Sequence, residues 1–180
     1  MRKVTLIFGL LAGAIISVVM VVAMVMWEKG TMTCDNSNDL VGYASMVIAL
    51  SMVFFGIKSY RDNYQNGAIK FTKGLQVGLL ISLVASLMYV ATWETYYQIR
   101  PDAYASFVDQ YADHHVNKMK ENGASPAEID EKIKEMADMK EMIKNPVLRF
   151  GMTLMELFPV GIIITLISAA VLRKKEFLPA

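Results

Sequence analysis

The sequence predicts an all-α polytopic membrane protein with four transmembrane helices and a helical hairpin between helices three and four. Three observations favour this fold class. The chain is 54% hydrophobic and only 19% charged, which is unusually apolar for a soluble domain. Four long windows carry almost no charge, and another window carries most of the acidic residues. This segregation of charge is typical of polytopic membrane proteins.

The four apolar windows are each long enough to cross a bilayer, which takes roughly 20 residues. The predicted spans are residues 4–27, 40–57, 71–97 and 146–172, in a single membrane domain over 1–180. The first window exceeds the apolar core of a cleaved signal peptide, about 7–15 residues, and lacks a small-x-small cleavage site. We therefore expect the first helix to be retained.

Basic residues predict the orientation, because lysine and arginine in short loops stay on the cytoplasmic side. They precede the first span, follow the fourth and dominate the loop between the second and third, whereas the loop over 28–39 is mainly acidic. The bases are Arg2, Lys3, Lys58, Arg61, Lys70, Lys73, Arg173, Lys174 and Lys175. Both termini are therefore predicted to be cytoplasmic, and residues 101–145 to lie outside.

The charged segment 101–145 is predicted to form an extracytoplasmic helical hairpin. Pro101 suits a first helical position, Gly123 suits a stop, and Ser125 with Glu128 has the spacing of a capping box. Each helix carries an apolar stripe: Tyr104, Val108, Tyr111, His115 and Met119 on the first, and Ile129, Ile133, Met136 and Ile143 on the second. The stripes are interpreted as burying each other or as docking on a partner or membrane surface, and the two interpretations are compatible.

Spans one and three share a pattern, because GLLAGAIISVV at Gly9 resembles GLQVGLLISLV at Gly74. The match suggests a tandem duplication of a two-helix unit, although spans two and four match poorly. In each copy, small residues recur every four positions on one helix face: Gly9, Gly13 and Ser17, then Gly74, Gly78 and Ser82. Such faces let two helix backbones approach closely in lipid.

Two carboxylates lie inside predicted spans, where a charge costs at least about 2.5 kcal/mol unless it finds a proton, water or partner. Glu94 is near the end of span three, and Glu156 is deeper in span four. Pro159 frees a backbone carbonyl near Glu156 and predicts a kink. Arg149, two turns before Glu156, is a candidate partner for it. Three interpretations of Glu156 follow. It bonds hydroxyls of neighbouring helices, it lines a proton or cation path together with Glu94, or it is a catalytic carboxylate.

Four bases between spans two and three alternate with aromatic residues. Lys58, Arg61, Lys70 and Lys73 are interpreted either as an interfacial anchor or as a site for anionic lipid head groups.

Several function classes are disfavoured by missing features. The chain has no GxSxG or HExxH motif and no phosphate-cradling loop, so we expect no enzyme activity, nucleotide or cofactor. His114 and His115 are adjacent and point to different faces of a helix, so we expect no metal site. The net charge of +1 disfavours nucleic acid. The single cysteine, Cys34, is a free thiol or bridges two copies.

Three stretches carry a resemblance to a known family: GYASMVIALSMVFFGIKSYRDNY, GLLISLVASLMYVATWETYY and NPVLRFGMTLMELFPVGIIITLISAAVLRKK. The chain resembles an uncharacterised bacterial integral membrane family, domain of unknown function 4199, over nearly its whole length. The resemblance implies a bacterial inner-membrane protein and brings no activity or site residue with it.

Two function hypotheses follow. In the leading hypothesis, the chain is a non-enzymatic inner-membrane protein that acts by association with itself or, through the hairpin, with a membrane partner. Membrane lipid is a further expected partner. The alternative is a small proton- or cation-coupled transporter or channel that uses Glu156 and Glu94 in an oligomer.

Overall fold

The computed structural model describes residues 1–31 and 36–174, and for residues 36–39 it describes the backbone alone. This part of the chain forms six helices and no strand. They are α1 (Arg2–Glu28), α2 (Asn36–Tyr64), α3 (Phe71–Ile99), α4 (Pro101–Glu121), α5 (Pro126–Lys144) and α6 (Pro146–Leu172). Cys34 and Lys175, for which the sequence made predictions, lie outside the described residues.

Four of the helices are long and apolar enough to cross a membrane: Arg2–Glu28, Leu40–Tyr64, Phe71–Ile99 and Pro146–Leu172. The prediction of an all-helical fold with four candidate spans is confirmed. The second helix continues past residue 57 to Tyr64, because lysine, arginine and tyrosine are all compatible with a helix. It ends before Asn66 and Gly67, whose φ angles of 49° and 80° turn the chain towards α3.

The helix α3 is central in the bundle and contacts α1, α2, α6 and the start of the hairpin. Its Val77 and Ile81 are fully buried, as are Val53 of α2 and Leu157 of α6. We call the end of the bundle near α4 and α5 the hairpin end, and the end near Met1 and Lys174 the terminal end.

The two small-residue faces lie in different helix contacts. On α1, Gly9 and Gly13 lie against Val84 and Met88 of α3, and Ser17 accepts a hydrogen bond from Thr92 at 2.8 Å. On α3, Gly74, Gly78 and Ser82 lie against Ala169, Thr165 and Gly161 of α6. If a two-fold axis related α1 to α3, the small-residue face of α3 would pack on α1, just as the face of α1 packs on α3. The packing therefore lacks the two-fold relation that a tandem repeat suggested, and the duplication itself stays a prediction.

The hairpin folds back on the bundle, because α4 packs against α3 and α5 packs against α6. The capping box is confirmed: the Glu128 amide donates to the Ser125 hydroxyl, and the Ser125 amide donates to the Glu128 carboxylate. The hydrogen bonds from Ser125 lower the pKa of the Glu128 carboxyl. The stripes bury each other only in part, because Tyr104 of the α4 stripe packs on Trp93 and Tyr97 of α3. On the α5 stripe, Met136 is buried but Ile133 is 48% exposed.

Candidate functional site

A half-open cavity of about 230 Å³ lies at the hairpin end and is lined by residues of α3, α4, α5 and α6. We call it the hairpin cavity. Four aromatic rings line it, those of Trp93, Tyr104, Phe107 and Tyr111, together with the charged side chains of Arg149 and Glu156. Helix geometry accounts for the α6 contribution, because Arg149, Thr153 and Glu156 are four and three residues apart and so share one face.

Arg149 forms an ion pair with Glu94 of α3. Its Nε donates to Glu94 Oε2 at 2.8 Å and its Nη2 to Glu94 Oε1 at 2.6 Å. The remaining Nη1 donates to the Ile143 carbonyl at 2.8 Å, and the guanidinium lies 3.7 Å from the Tyr97 ring centroid. The Arg149 side chain is 6% exposed and that of Glu94 is 31% exposed. All three groups of the guanidinium are therefore occupied.

The predicted pairing of Arg149 with Glu156 is wrong. Seven residues of helix separate the two by about 10 Å along the axis. Helical side chains also lean towards the helix N-terminus, which directs Arg149 towards Ile143 and away from Glu156. The close packing of α3 on α6 brings Glu94 within reach instead.

Glu156 accepts a hydrogen bond from the Tyr89 hydroxyl of α3 at 3.3 Å, and the described residues supply no other partner for its carboxylate. Tyr89 is almost fully buried, whereas Glu156 is exposed and lines the cavity. Pro159 lies one turn further along α6 and leaves the Met155 carbonyl without its usual helical donor. The carboxylate is thus held by one long bond next to open space.

The aromatic rings around the cavity contact one another, edge to face at Trp93 and Tyr104 and tilted where Phe107 meets Trp93 and Tyr111. Trp93 lies 5.6 Å from Tyr104 and 6.4 Å from Tyr89, measured between ring centroids, with interplanar angles near 90°. The Trp93 Nε1 is buried without a hydrogen-bond partner in the described part of the chain. Burial raises the pKa of the Tyr104 hydroxyl to about 12, so this ring is neutral at physiological pH.

The charges around the cavity sum to −1 when all are ionised, because Arg149 neutralises Glu94 and Glu156 remains. Aromatic faces carry a negative quadrupole that attracts cations. Within the described residues, no three His, Cys, Asp or Glu side chains are grouped as metal ligands. The arrangement therefore combines a net negative charge with aromatic rings, which is the chemistry of a site for a small cation.

The four bases predicted to bind lipid head groups divide between two places at the terminal end. Lys70 and Lys73 line a second cavity together with Arg173 and Lys174. Lys58 lies on α2 beside Asp62, and Arg61 bonds Asp62 at 2.7 Å.

Sequence reasoning identified Tyr104 and Tyr111 as stripe residues but did not place them beside Glu156, and it missed Tyr89 and Phe107. Tyr89 precedes Trp93 by four residues, so it lies on the same face of α3, and this spacing was a signal that Tyr89 accompanies the tryptophan. No comparable signal joins Tyr104 or Phe107 to Glu156, since they meet only when the hairpin folds back.

The fold and the site define a four-span, all-helical membrane protein with a charged, aromatic cavity beneath a helical hairpin. A family model described as a protein of unknown function, DUF4199, matches residues 7–174. The chain belongs to this family, which confirms the resemblance found in the sequence. No curated protein and no solved structure matched the chain.

Proposed function

We propose that this protein is a non-enzymatic membrane protein that binds a small cation in the hairpin cavity, with Glu156 as the counter-ion. The observation that carries the proposal is the placement of this carboxylate: it lines a cavity with four aromatic rings and has a single long hydrogen bond. A carboxylate at membrane depth is costly unless it is paired, protonated or hydrated. A bound cation supplies the missing partner.

The lining favours an organic ammonium ion as the cation. Ammonium groups bind over aromatic faces within about 6 Å of a ring centroid, and Trp93, Tyr104, Phe107 and Tyr111 all line the cavity. Hard metal cations are held largely by carboxylate and carbonyl oxygens, and Glu156 is the one acidic side chain among the described lining residues. The cavity is smaller than the roughly 300–1,000 Å³ of pockets for drug-sized ligands, so the ligand has few heavy atoms.

Glu94 has no carrier role in this proposal, because both of its carboxylate oxygens bond Arg149. If the bound cation crosses the membrane, Glu156 is the carboxylate that accompanies it. The path proposed from the sequence, through both Glu156 and Glu94, is thereby reduced to one through Glu156. The asymmetry of basic residues supports an orientation in an inner membrane with both termini cytoplasmic. The hairpin cavity then opens towards the outer side.

The test is the Glu156→Gln variant, measured as binding of methylammonium and tetramethylammonium to the purified protein in nanodiscs by tryptophan fluorescence. Trp93 lines the cavity and is one of two tryptophans in the chain. We expect the variant to bind the ammonium ions at least about tenfold more weakly, because it lacks the negative charge that pairs with them. A tenfold change corresponds to about 1.4 kcal/mol of binding free energy.

Glu28→Gln is the matched control. Glu28 is also a carboxylate at the hairpin end, but it bonds Tyr96 and Arg100 and does not line the cavity. Its removal should leave cation binding unchanged. Equal binding by wild type and Glu156→Gln, or no binding of either ammonium ion, would refute the proposal.

A second candidate is association with another copy or with a membrane partner through the hairpin. The observation that favours it is the exposure of an apolar stripe residue on α5, since Ile133 is 48% exposed. Native mass spectrometry after mild cross-linking tests this function: Ile133→Asn should release a stoichiometric partner, whereas the neighbouring Glu131→Gln should retain it. A monomer in the wild type would exclude association.

A further inference from the structure

A second cavity, of about 670 Å³, lies at the terminal end, where the loop before α3 meets the end of α6. We call it the basic cavity. Four of the nine described residues that line it are basic, namely Lys70, Lys73, Arg173 and Lys174, and none of these nine is acidic. Bases from two regions about 100 positions apart in the sequence therefore converge on one space.

The basic cavity is held together by backbone bonds. The Ile69 amide donates to the Lys174 carbonyl at 3.1 Å, and the Lys174 amide donates to the Ile69 carbonyl at 3.2 Å. Ile69 is 2% exposed and anchors the loop in the core. This bridge fixes the position of the loop relative to the end of α6, so the cavity exists before a ligand binds.

The start of α3 also opens into the basic cavity. Lys70 is the N-cap residue, and its side chain forms no capping hydrogen bond. Phe71 and Thr72, the first two residues of the helix, line the space. The first amide groups of a helix carry partial positive charge and bind anions such as phosphate, so the helix end adds to the field of the four bases.

The neighbouring bases of α2 differ from these four. Arg61 bonds Asp62 at 2.7 Å, and Lys58 lines a separate space that also includes Asp62. Asp62 therefore stands among the residues that line that space, whereas the described lining of the basic cavity contains no acid. Lys174 of the basic cavity also interacts electrostatically with Asp62. The two sites lie at the same end of the bundle and differ in the net charge of their described lining residues, so the α2 site serves as a control for the basic cavity.

We infer that the basic cavity binds a phosphate group, and that this phosphate is the head group of an anionic phospholipid. The lining residues lie at the ends of two candidate spans, Phe71–Ile99 and Pro146–Leu172, which places the bases at head-group level. Val171, close to the cavity on α6, is 69% exposed and offers an apolar surface for an acyl chain. Bases near a membrane surface attract anionic lipid additively.

The test is native mass spectrometry of the full chain with phosphatidylglycerol and phosphatidylcholine of identical acyl chains. Each base contributes about a fivefold change in affinity, so we expect Lys73→Gln/Arg173→Gln to weaken phosphatidylglycerol retention about 30-fold relative to wild type. The control Lys3→Gln/Lys58→Gln removes the same charge at the same end of the bundle and should retain the lipid. The charge-conserving Lys73→Arg/Arg173→Lys variant should also retain it.

Each remaining outcome decides a point. If millimolar inorganic phosphate displaces phosphatidylglycerol completely, the phosphate site stands and its source is a soluble phosphate. Equal retention of the two lipids by wild type overturns the inference, and so does an equal loss in the two glutamine double variants. Cation binding in the hairpin cavity is measured separately at the other end of the bundle, so failure of one proposal leaves the other intact.

Discussion

Replacing Arg149 by methionine is expected to lower the free energy of unfolding by about 3 kcal/mol. Removing one partner of a buried ion pair costs about 3–5 kcal/mol, because the other charge is left uncompensated. The lower end applies here, since the Glu94 side chain is 31% exposed and water offsets part of its loss. The variant also loses the contact with Tyr97 and the bond to the Ile143 carbonyl, which together join α3, α6 and the end of α5.

The measurement is equilibrium unfolding in mixed micelles. The control is Arg100→Met, because Arg100 also pairs with a glutamate at the hairpin end, but its side chain is 56% exposed. An exposed pair contributes about 0–1 kcal/mol, so this control should change stability little. Adding Glu94→Gln to Arg149→Met should recover part of the loss. Equal losses from the two arginine variants would show that the buried pair has no special weight.

Gly78→Ala is expected to cost about 1–3 kcal/mol by overpacking the contact between α3 and α6. A β-carbon on Gly78 would lie 2.5 Å from Thr165 Cγ2 and 2.9 Å from its hydroxyl. Thr165 is fully buried, and a threonine in a helix is restricted to two χ1 rotamers, so it has little room to move away. The helices must therefore separate, which strains the bond from the Ser82 hydroxyl to the Gly161 carbonyl.

The matched control is Gly151→Ala, also within a membrane-spanning helix. A β-carbon on Gly151 meets no atom within 4 Å, so the substitution should cost no stability. The two variants are compared in the same unfolding assay. A similar loss for both variants would mean that alanine is harmful through some general effect. The close approach of α3 and α6 would then not explain the glycine.

Local patterns made much of the architecture readable from sequence. Span number follows from the transfer free energy of runs of apolar residues, which depends on the run alone. The capping box of Ser125 and Glu128 likewise depends only on residues close in sequence, since it needs two residue types three positions apart. Spacing also shows that Gly9 and Gly78 lie on helix faces made of small residues. It does not show that Gly9 packs on α3 and Gly78 on α6.

Composition, hydropathy and short-range spacing by themselves determined the all-helical class, the four candidate spans and the capped hairpin, because these depend on residues close in sequence. Tertiary structure alone decided that Arg149 pairs with Glu94, that Glu156 lies in an aromatic cavity, and that Lys73 and Arg173 share a basic one. Those partners lie on different helices. Which of them meet depends on how the helices are ordered and rotated around α3, and that arrangement is the summed result of packing over the whole bundle.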